Sequence, residues 1–433
     1  MNPFEQYSLE ELQQRTSEKW RNYGQDVLPL WVAEMDVKLP DPLVEHLGQI
    51  IASGDVGYLS MSNFKRYAQA MADFSTRHWG WTPNVETIAD CADVVSGCKR
   101  VIDAFLQHDA DNTVVISTPV YPPFINGYTK GYKNVDVPLL QPDYSLDFPA
   151  LENAFKQATE NGHRAVYALC NPANPSGAVW GQTELSKLAE LANSYGVLVV
   201  SDEIHGPLVT ERNFEHDGHT LQYCDNPTNH GKHSSFVPYL SLANAGLAVC
   251  VTSASKGFSI PGMKAALIIP SDDLRSVNLI NNSGHFGKAT SEQLGAQAQT
   301  ICYSECDDWL FHLVQGVRNN FDCFDSLMKR YLPLAKYKRP QGTYFGWIDF
   351  SEYVHAGKIS GAPSVFFRDK AKVALNPGRT FAGPQKLNWS GMPVDGRVTS
   401  KVTPYDNYCR INLATSQEII RMAVERMADA LDS

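Results

Sequence analysis

Short, wholly apolar runs that end in polar residues recur along the chain. Thr113–Ser117, Ala165–Cys170, Val197–Ser201, Leu247–Thr252 and Ala265–Ile269 all have this form. An unbroken apolar run, unlike an alternating one, marks a strand buried on both faces, as in a parallel sheet. Between the second and third runs the period changes. Leu185, Leu188, Leu191 and Ala192 are spaced for one face of a helix over Glu184–Tyr195. Thr183 is the expected cap at its start and Gly196 the expected cap at its end. A further helix is expected at the tail. There Thr415-Ser416-Gln417-Glu418 reads as a capping box, and Ile420, Val424, Met427 and Leu431 form the apolar stripe. Strands alternating with helices predict an α/β fold, a mostly parallel central sheet covered by helices. No internal repeat or linker is visible.

Composition narrows the function classes. The chain has 433 residues, enough to bury a large core and to divide into more than one lobe. Hydrophobic residues make up 43% and charged residues 19%, the balance of a soluble globular protein. A net charge of −10 without a basic run argues against a nucleic-acid surface. No stretch approaches the roughly 20 apolar residues of a membrane span. Met1–Gln25 is polar and lacks the core of a signal peptide. The nine cysteines are scattered and form no Cys-x-x-Cys pair; Cys302 and Cys306 read as core thiols. Such usage is expected in a reducing cytoplasm.

Candidate chemistry gathers at three of the strand ends. Ser253-Ala254-Ser255-Lys256-Gly257 follows the run ending at Thr252, and Lys264 stands eight residues beyond Lys256. A lysine amine condenses with an aldehyde, and Ser253, Ser255 and Lys264 are the types that hold a phosphate beside it. Aldehyde and phosphate on one small molecule describe pyridoxal 5′-phosphate (PLP). An ordinary surface lysine in a Ser/Gly loop is the other reading of that short stretch. Asn171-Pro172-Ala173-Asn174-Pro175 follows the second run, and Ser201-Asp202-Glu203-Ile204-His205 closes the third. A carboxylate such as Asp202 keeps a pyridine nitrogen protonated. An amide such as Asn174 donates to the ring's phenolate oxygen, and His205 stands near enough to reach the same edge. The alternatives are a turn aspartate at Asp202 and a satisfied core histidine at His205.

These residues carry a family resemblance. The chain resembles fold-type I PLP enzymes of aminotransferase class I/II, and within them the MalY/PatB group of cystathionine β-lyases, or C–S β-lyases. The matching segments are Leu28–Asp36 (LPLWVAEMD), Gly57-Tyr58, Pro119–Phe124 (PVYPPF), Asn171–Gly177, Ser201–Val209 and Ser253–Met263. They follow in order from about residue 18 to the end. Histidine at position 205, where aminotransferases typically have tyrosine, sets the group apart.

The resemblance implies further roles. Gly97 and Cys98, in a Ser-Gly turn that opens a helix, become phosphate ligands through their backbone N–H groups; a plain helix N-cap is the other reading. Lys264 stands where many relatives have arginine, and is either a phosphate contact or a surface charge. Tyr58 reaches the phosphate of a neighbouring subunit, which makes the active unit a homodimer. Tyr121 stacks on the pyridine ring and joins Lys256 and Asp202 as a catalytic group. Arg410 binds the substrate carboxylate with its planar fork. A large cofactor domain of about 51–304 and a smaller α+β domain from 1–50 and 305–433 are implied.

The implied reaction is α,β-elimination on L-cystathionine or another cysteine S-conjugate, giving a thiol, pyruvate and ammonia. An aminotransferase using the same residues is the alternative. A non-catalytic PLP-fold regulatory protein is disfavoured by the joint presence of Lys256, Asp202, Asn174, Tyr121 and Arg410. Two polar insertions stand apart. Glu211–Lys232, with His216 and His219 and with His230 and His233 near its end, matches no standard metal-ligand spacing, and no metal is expected. Gly383–Asp406 is expected near the substrate mouth. Such insertions often set specificity, which points away from plain cystathionine as the physiological substrate.

Overall fold

The computed structural model describes residues 2–210, 213–216, 219–222, 236–283, 290–382 and 403–432. Its larger sheet contains β1 (Ala89–Cys91), β2 (Thr113–Ile116), β3 (Lys133–Asp136), β4 (Ala165–Cys170), β5 (Leu198–Asp202), β6 (Ala248–Thr252) and β7 (Ala266–Pro270). Their spatial order is β1-β7-β6-β5-β4-β2-β3. The strands from β6 to β3 are parallel, whereas β7 runs antiparallel to both β6 and β1. All five strands expected from unbroken apolar runs are present, within a residue or two at their ends. The two that were not foreseen are a three-residue strand and an edge strand. Lys133–Asp136 is mostly exposed, so no apolar run marks it.

Burial on both faces is visible along β4. Ala165, Tyr167 and Leu169 pack into the larger apolar cluster, while Val166, Ala168 and Cys170 pack into a second one. Helices α1 (Met61–Trp79), α2 (Val94–Leu106), α3 (Phe148–Thr159) and α4 (Gln182–Tyr195) supply much of this cover. Helix α4 starts slightly earlier than expected. Gly181, not Thr183, is its N-cap, and Gly196 closes it in the left-handed conformation at φ 66° and ψ 26°. At Gly97 in α2, an added Cβ would stand 2.6 Å from Cys91 Sγ and 2.8 Å from Val251 Cγ1. Glycine there lets the helix lie close against the sheet.

A second sheet is wholly antiparallel, with β8 (Lys336–Tyr337), β9 (Phe345–Asp349), β10 (Asn376–Pro377) and β11 (Tyr408–Asn412) in the order β8-β9-β11-β10. Helix α5 (Gln293–Glu305) packs on α1, while α6 (Asp307–Tyr331) and α7 (Gln417–Asp432), packed on each other, complete this part of the chain. The capping box expected from Thr415 to Glu418 shifts by one residue. Ser416 Oγ accepts the Ile419 N–H at 3.3 Å, so Glu418 is not the reciprocal partner. The N-terminal segment joins this half, because Leu28–Pro29 pairs in parallel with Val373–Ala374. No helix among the described residues is long and apolar enough to cross a membrane.

Most of the Glu211–Lys232 insertion lies outside the described residues, as do His230, His233 and residues 383–402 of the second insertion. Asn213–His216 and His219–Gln222 pair as antiparallel strands, with His216 in register with His219. No group of three possible metal ligands occurs among the described residues.

Candidate active site

Parallel strands present their carboxyl ends on one side of a sheet, and ligands bind there. Here Cys170 at the end of β4 is paired with Asp202 at the end of β5, and Asp202 with Val251 in β6. The loops that follow bring Asn174, Asp202, His205, Ser255 and Lys256 to one cavity, joined by Tyr121 and Lys264. The cavity holds about 760 Å³ of empty space, its open mouth included.

Asp202 is 5% exposed and accepts the Ile204 N–H at 3.2 Å. Burial pushes its pKa up to about 7, against the pull of that N–H and of the Lys256 charge. Lys256 Nζ donates to the Ala33 carbonyl at 3.1 Å. Burial, and then the Arg410 charge, bring its pKa down to about 8. Its amine is therefore far more often neutral, and so nucleophilic, than an ordinary lysine. His205 is held neutral: burial first, then the Lys256 and Arg410 charges, lower its pKa to about 3. Its Nδ1 is a buried atom without a hydrogen-bond partner among the described residues. Burial raises the Tyr121 phenol, and Arg410 partly offsets this.

Arg410 lies in the middle of β11, 3% exposed. Nη1 donates to Asn174 Oδ1 at 2.9 Å and Nη2 to the Trp31 carbonyl at 2.9 Å. Its guanidinium carbon stands 4.0 Å from the centroid of the Phe345 ring. Burial lowers its pKa to about 10. Nε has no partner among the described residues. A buried cation held only by neutral groups is suited to a carboxylate that arrives with a ligand.

The phosphate end departs from expectation. Gly97 and Cys98 are inside α2, not at its start. Asp93 is the N-cap; its carboxylate accepts the Ser96 N–H at 2.8 Å, and Gly97 N–H donates to the Asp93 carbonyl at 2.9 Å. Cys98 is fully within the helix and buried. The first two helical residues, Val94 and Val95, line the cavity instead, and N–H groups there have no partner within the helix. The aspartate three residues before Ser96 was the sequence signal for this start. Ser253 does not line the cavity. It is buried, and its hydroxyl donates to the Ala265 carbonyl at 2.8 Å, whereas Ser255 faces the cavity. Lys264 stands half exposed at the cavity, 3.2 Å from the Asp93 carboxylate. Tyr58 is fully exposed and does not line the cavity of its own chain.

One contribution was missed by residue-level reading. Trp31–Asp36 works through its backbone: the Trp31 carbonyl holds Arg410, the Ala33 carbonyl holds Lys256, and Asn412 Nδ2 donates to the Val32 and Glu34 carbonyls at 2.6 and 2.7 Å. Asp36 anchors the segment from behind. It pairs with Lys19 Nζ at 2.7 Å and accepts from Trp20 Nε1 at 2.8 Å, all buried. The only sequence signal was the motif itself.

The residues fit PLP. Asp202 is a buried carboxylate with no cation hydrogen-bonded to it among the described residues, a need that a protonated pyridine nitrogen meets. Lys256 offers the amine. The start of α2 with Ser255 and Lys264 offers an anion site.

Comparison with known proteins agrees with this chemistry. The aminotransferase class I and II family pattern matches residues 32–426. A Mycobacterium leprae protein, provisionally named a cystathionine β-lyase, is 36% identical over 99% of this chain and 98% of its own. The Bacillus subtilis cystathionine β-lyase PatB is 30% identical over 85% of this chain and 89% of its own. The crystal structure of a Corynebacterium diphtheriae protein, provisionally described as a PLP-dependent β-cystathionase, superposes with a TM-score of 0.80 at 30% identity, covering 99% of this chain and 98% of that one.

Proposed function

The chain belongs to the aminotransferase class I and II family, and from that premise we propose that it is a PLP-dependent C–S β-lyase acting on L-cystathionine or another cysteine S-conjugate. The observation that carries this reading is the joint placement of Lys256, Asp202, Asn174, His205 and Tyr121 around one cavity, with Arg410 bonded to Asn174 behind it. The C–S lyase relatives support the reaction class.

When bound, PLP supplies an aldehyde for the substrate's amino group and a cationic ring that holds the electrons released at Cα. Asp202 keeps the proton on the ring nitrogen. Asn174 uses its carbonyl oxygen for Arg410, which leaves its amide N–H groups for the ring oxygen. Arg410 grips the substrate carboxylate. Lys256, with its pKa near 8, is the base that takes the Cα proton. The Cβ–S bond then breaks, its electron pair leaves with sulfur as a thiolate, and the three-carbon remnant takes up water to end as pyruvate and ammonia. Tyr121 and the neutral His205 line the cavity and would meet the bound cofactor as uncharged groups.

An aminotransferase would use the same residues but stall after one turnover until a keto acid arrived. The protein is therefore expected to release pyruvate and thiol continuously from a cysteine S-conjugate with no keto acid added, as followed by lactate dehydrogenase coupling and a thiol reagent. Turnover that stops after one equivalent and resumes with 2-oxoglutarate would mean the aminotransferase reading is correct. Arg410→Ala is expected to lower kcat/KM by roughly 2–5 kcal/mol, the range for truncating one side of a buried charge pair. Unchanged kcat/KM would remove Arg410 from the substrate site.

The reading extends to assembly and setting. The active unit is a homodimer in which Tyr58 serves the neighbouring cofactor phosphate. Its full exposure, together with exposed Ile51, Val56 and Met61 nearby in sequence, supports a covered face. The large lobe is residues 51–304 and the small lobe 1–50 with 305–433, supported by the separate sheets and by the pairing of Leu28–Pro29 with Val373–Ala374. The setting is a reducing cytoplasm, in keeping with the free thiols at Cys302, Cys306 and the other described cysteines.

A further inference from the structure

A groove runs along the N-terminal segment and meets the Lys256 cavity at Pro261 and Met263, which line both. Among the described residues its charged lining is Arg15 and Glu34. Arg15 is already engaged. Nη1 donates to the Met35 carbonyl at 3.1 Å and Nη2 to the Val37 carbonyl at 3.0 Å, and the guanidinium lies over the Tyr7 ring at 4.8 Å.

Glu34 is different. Its backbone is fixed, because its carbonyl accepts from Lys19 Nζ at 3.3 Å and from Asn412 Nδ2 at 2.7 Å. Its carboxylate has no hydrogen bond or ion pair among the described residues, yet its charge acts on both Lys256 and Tyr344. Glu34 thus lines the groove one residue beyond Ala33, which lines the catalytic cavity, and among the described residues it is the groove's one charge not committed to the protein.

The direction of a bound substrate follows from the same segment. Its carboxylate end is held at Arg410, which grips the segment at Trp31, and its amino group is delivered toward Lys256, which bonds Ala33. The groove opens at the next residue, Glu34. We propose that this groove is the subsite for the sulfur substituent, and that Glu34 makes it prefer a substituent carrying a positive charge, such as an alkylammonium. A neutral chain leaves the Glu34 carboxylate unpaired as the groove fills, and an anionic one meets a like charge beside it.

This inference rests on the lyase reading, and a matched substrate series separates the two. S-(2-aminoethyl)-L-cysteine and S-propyl-L-cysteine have substituents of equal length that differ in charge, and S-carboxymethyl-L-cysteine adds an anion. The PLP-loaded wild type is expected to favour the aminoethyl over the propyl conjugate in kcat/KM by roughly fivefold or more, and the carboxymethyl conjugate is expected to be poorest. In Glu34→Gln the aminoethyl-to-propyl ratio should fall to near one, while Glu34→Asp should retain part of it. Each ratio is taken within one variant, so differences in folded yield cancel. Added salt should erode the wild-type preference. A ratio unchanged in Glu34→Gln, or a wild type that favours the propyl or carboxymethyl conjugate, overturns the subsite while leaving the lyase intact. A PLP-loaded protein that forms pyruvate from none of the three overturns both.

Discussion

Lys256→Ala is expected to leave a folded protein with essentially no β-elimination activity. Two functions vanish together. The amine that joins the cofactor aldehyde is gone, and so is the base that takes the Cα proton. Loss of positioned proton transfer alone costs about 10²–10⁴-fold. The wild-type holoenzyme should be yellow, and borohydride should fix the cofactor to the chain at Lys256, as a peptide map would show. The variant should hold any cofactor without that link. The fold should survive, because the one side-chain hydrogen bond of Lys256 among the described residues is to the Ala33 carbonyl, and it holds no ion pair there. A colourless wild type that takes up no PLP, or a variant with wild-type turnover, would remove Lys256 from the chemistry.

Asp202→Asn has the next largest expected effect. An amide cannot hold a proton on the ring nitrogen by charge, and deleting one preorganised electrostatic partner typically costs about 10²–10³-fold in turnover. Near-normal turnover would reduce Asp202 to a turn residue. A second signature needs no substrate. In the cofactor-free protein burial raises the Asp202 pKa to about 7, above an ordinary aspartate value of about 3.9. The folded state then binds the proton more tightly than the unfolded one. The stability this contributes is present below about pH 4 and is lost as pH rises toward about 7. Cofactor-free Asp202→Asn is spared that loss. It should gain in thermal midpoint relative to the wild type across this window. Glu203, also pushed up to about 7 by burial, and His205, pushed down to about 3, act in both proteins, and since the Asp202 charge is the least of the causes raising Glu203, most of their effect cancels in the comparison. Added PLP supplies the missing cation and should close the gap. A gap that does not change with pH would mean that Asp202 is not held in a low-dielectric site.

Much of this was legible in the chain because the physics is local. An unbroken run such as Val197–Ser201 marks a strand buried on both faces, and parallel strands place their carboxyl ends on one side. Asn174, Asp202 and Lys256 were therefore expected at a common crevice, and they line one cavity. Helix α4 and its closing Gly196 followed from spacing and from glycine's freedom at positive φ. Where the signal was weaker, the reading slipped. Lys133–Asp136 is an edge strand with little to bury, so it has no apolar run. The family resemblance, with a Ser-Gly pair that reads as a turn, points to Gly97 and Cys98 as phosphate ligands. The Asp93 cap starts α2 earlier and puts Val94 and Val95 at the cavity.

What only the tertiary structure decided is how distant segments hold these side chains. Residues 31 and 410 meet through a backbone carbonyl, as do 33 and 256. Every residue has such an acceptor, so composition and periodicity do not single these out. The pKa values of Lys256 and His205 likewise depend on burial and on the charge brought from Arg410, far away in sequence, and that of Asp202 on burial and on the Lys256 charge. The residue types for the chemistry are written along the chain. Their protonation, and the uncommitted charge of Glu34 beside them, arise only when the N-terminal segment and β11 close over the sheet, because solvation and Coulomb energy depend on distance in space and not on distance along the chain.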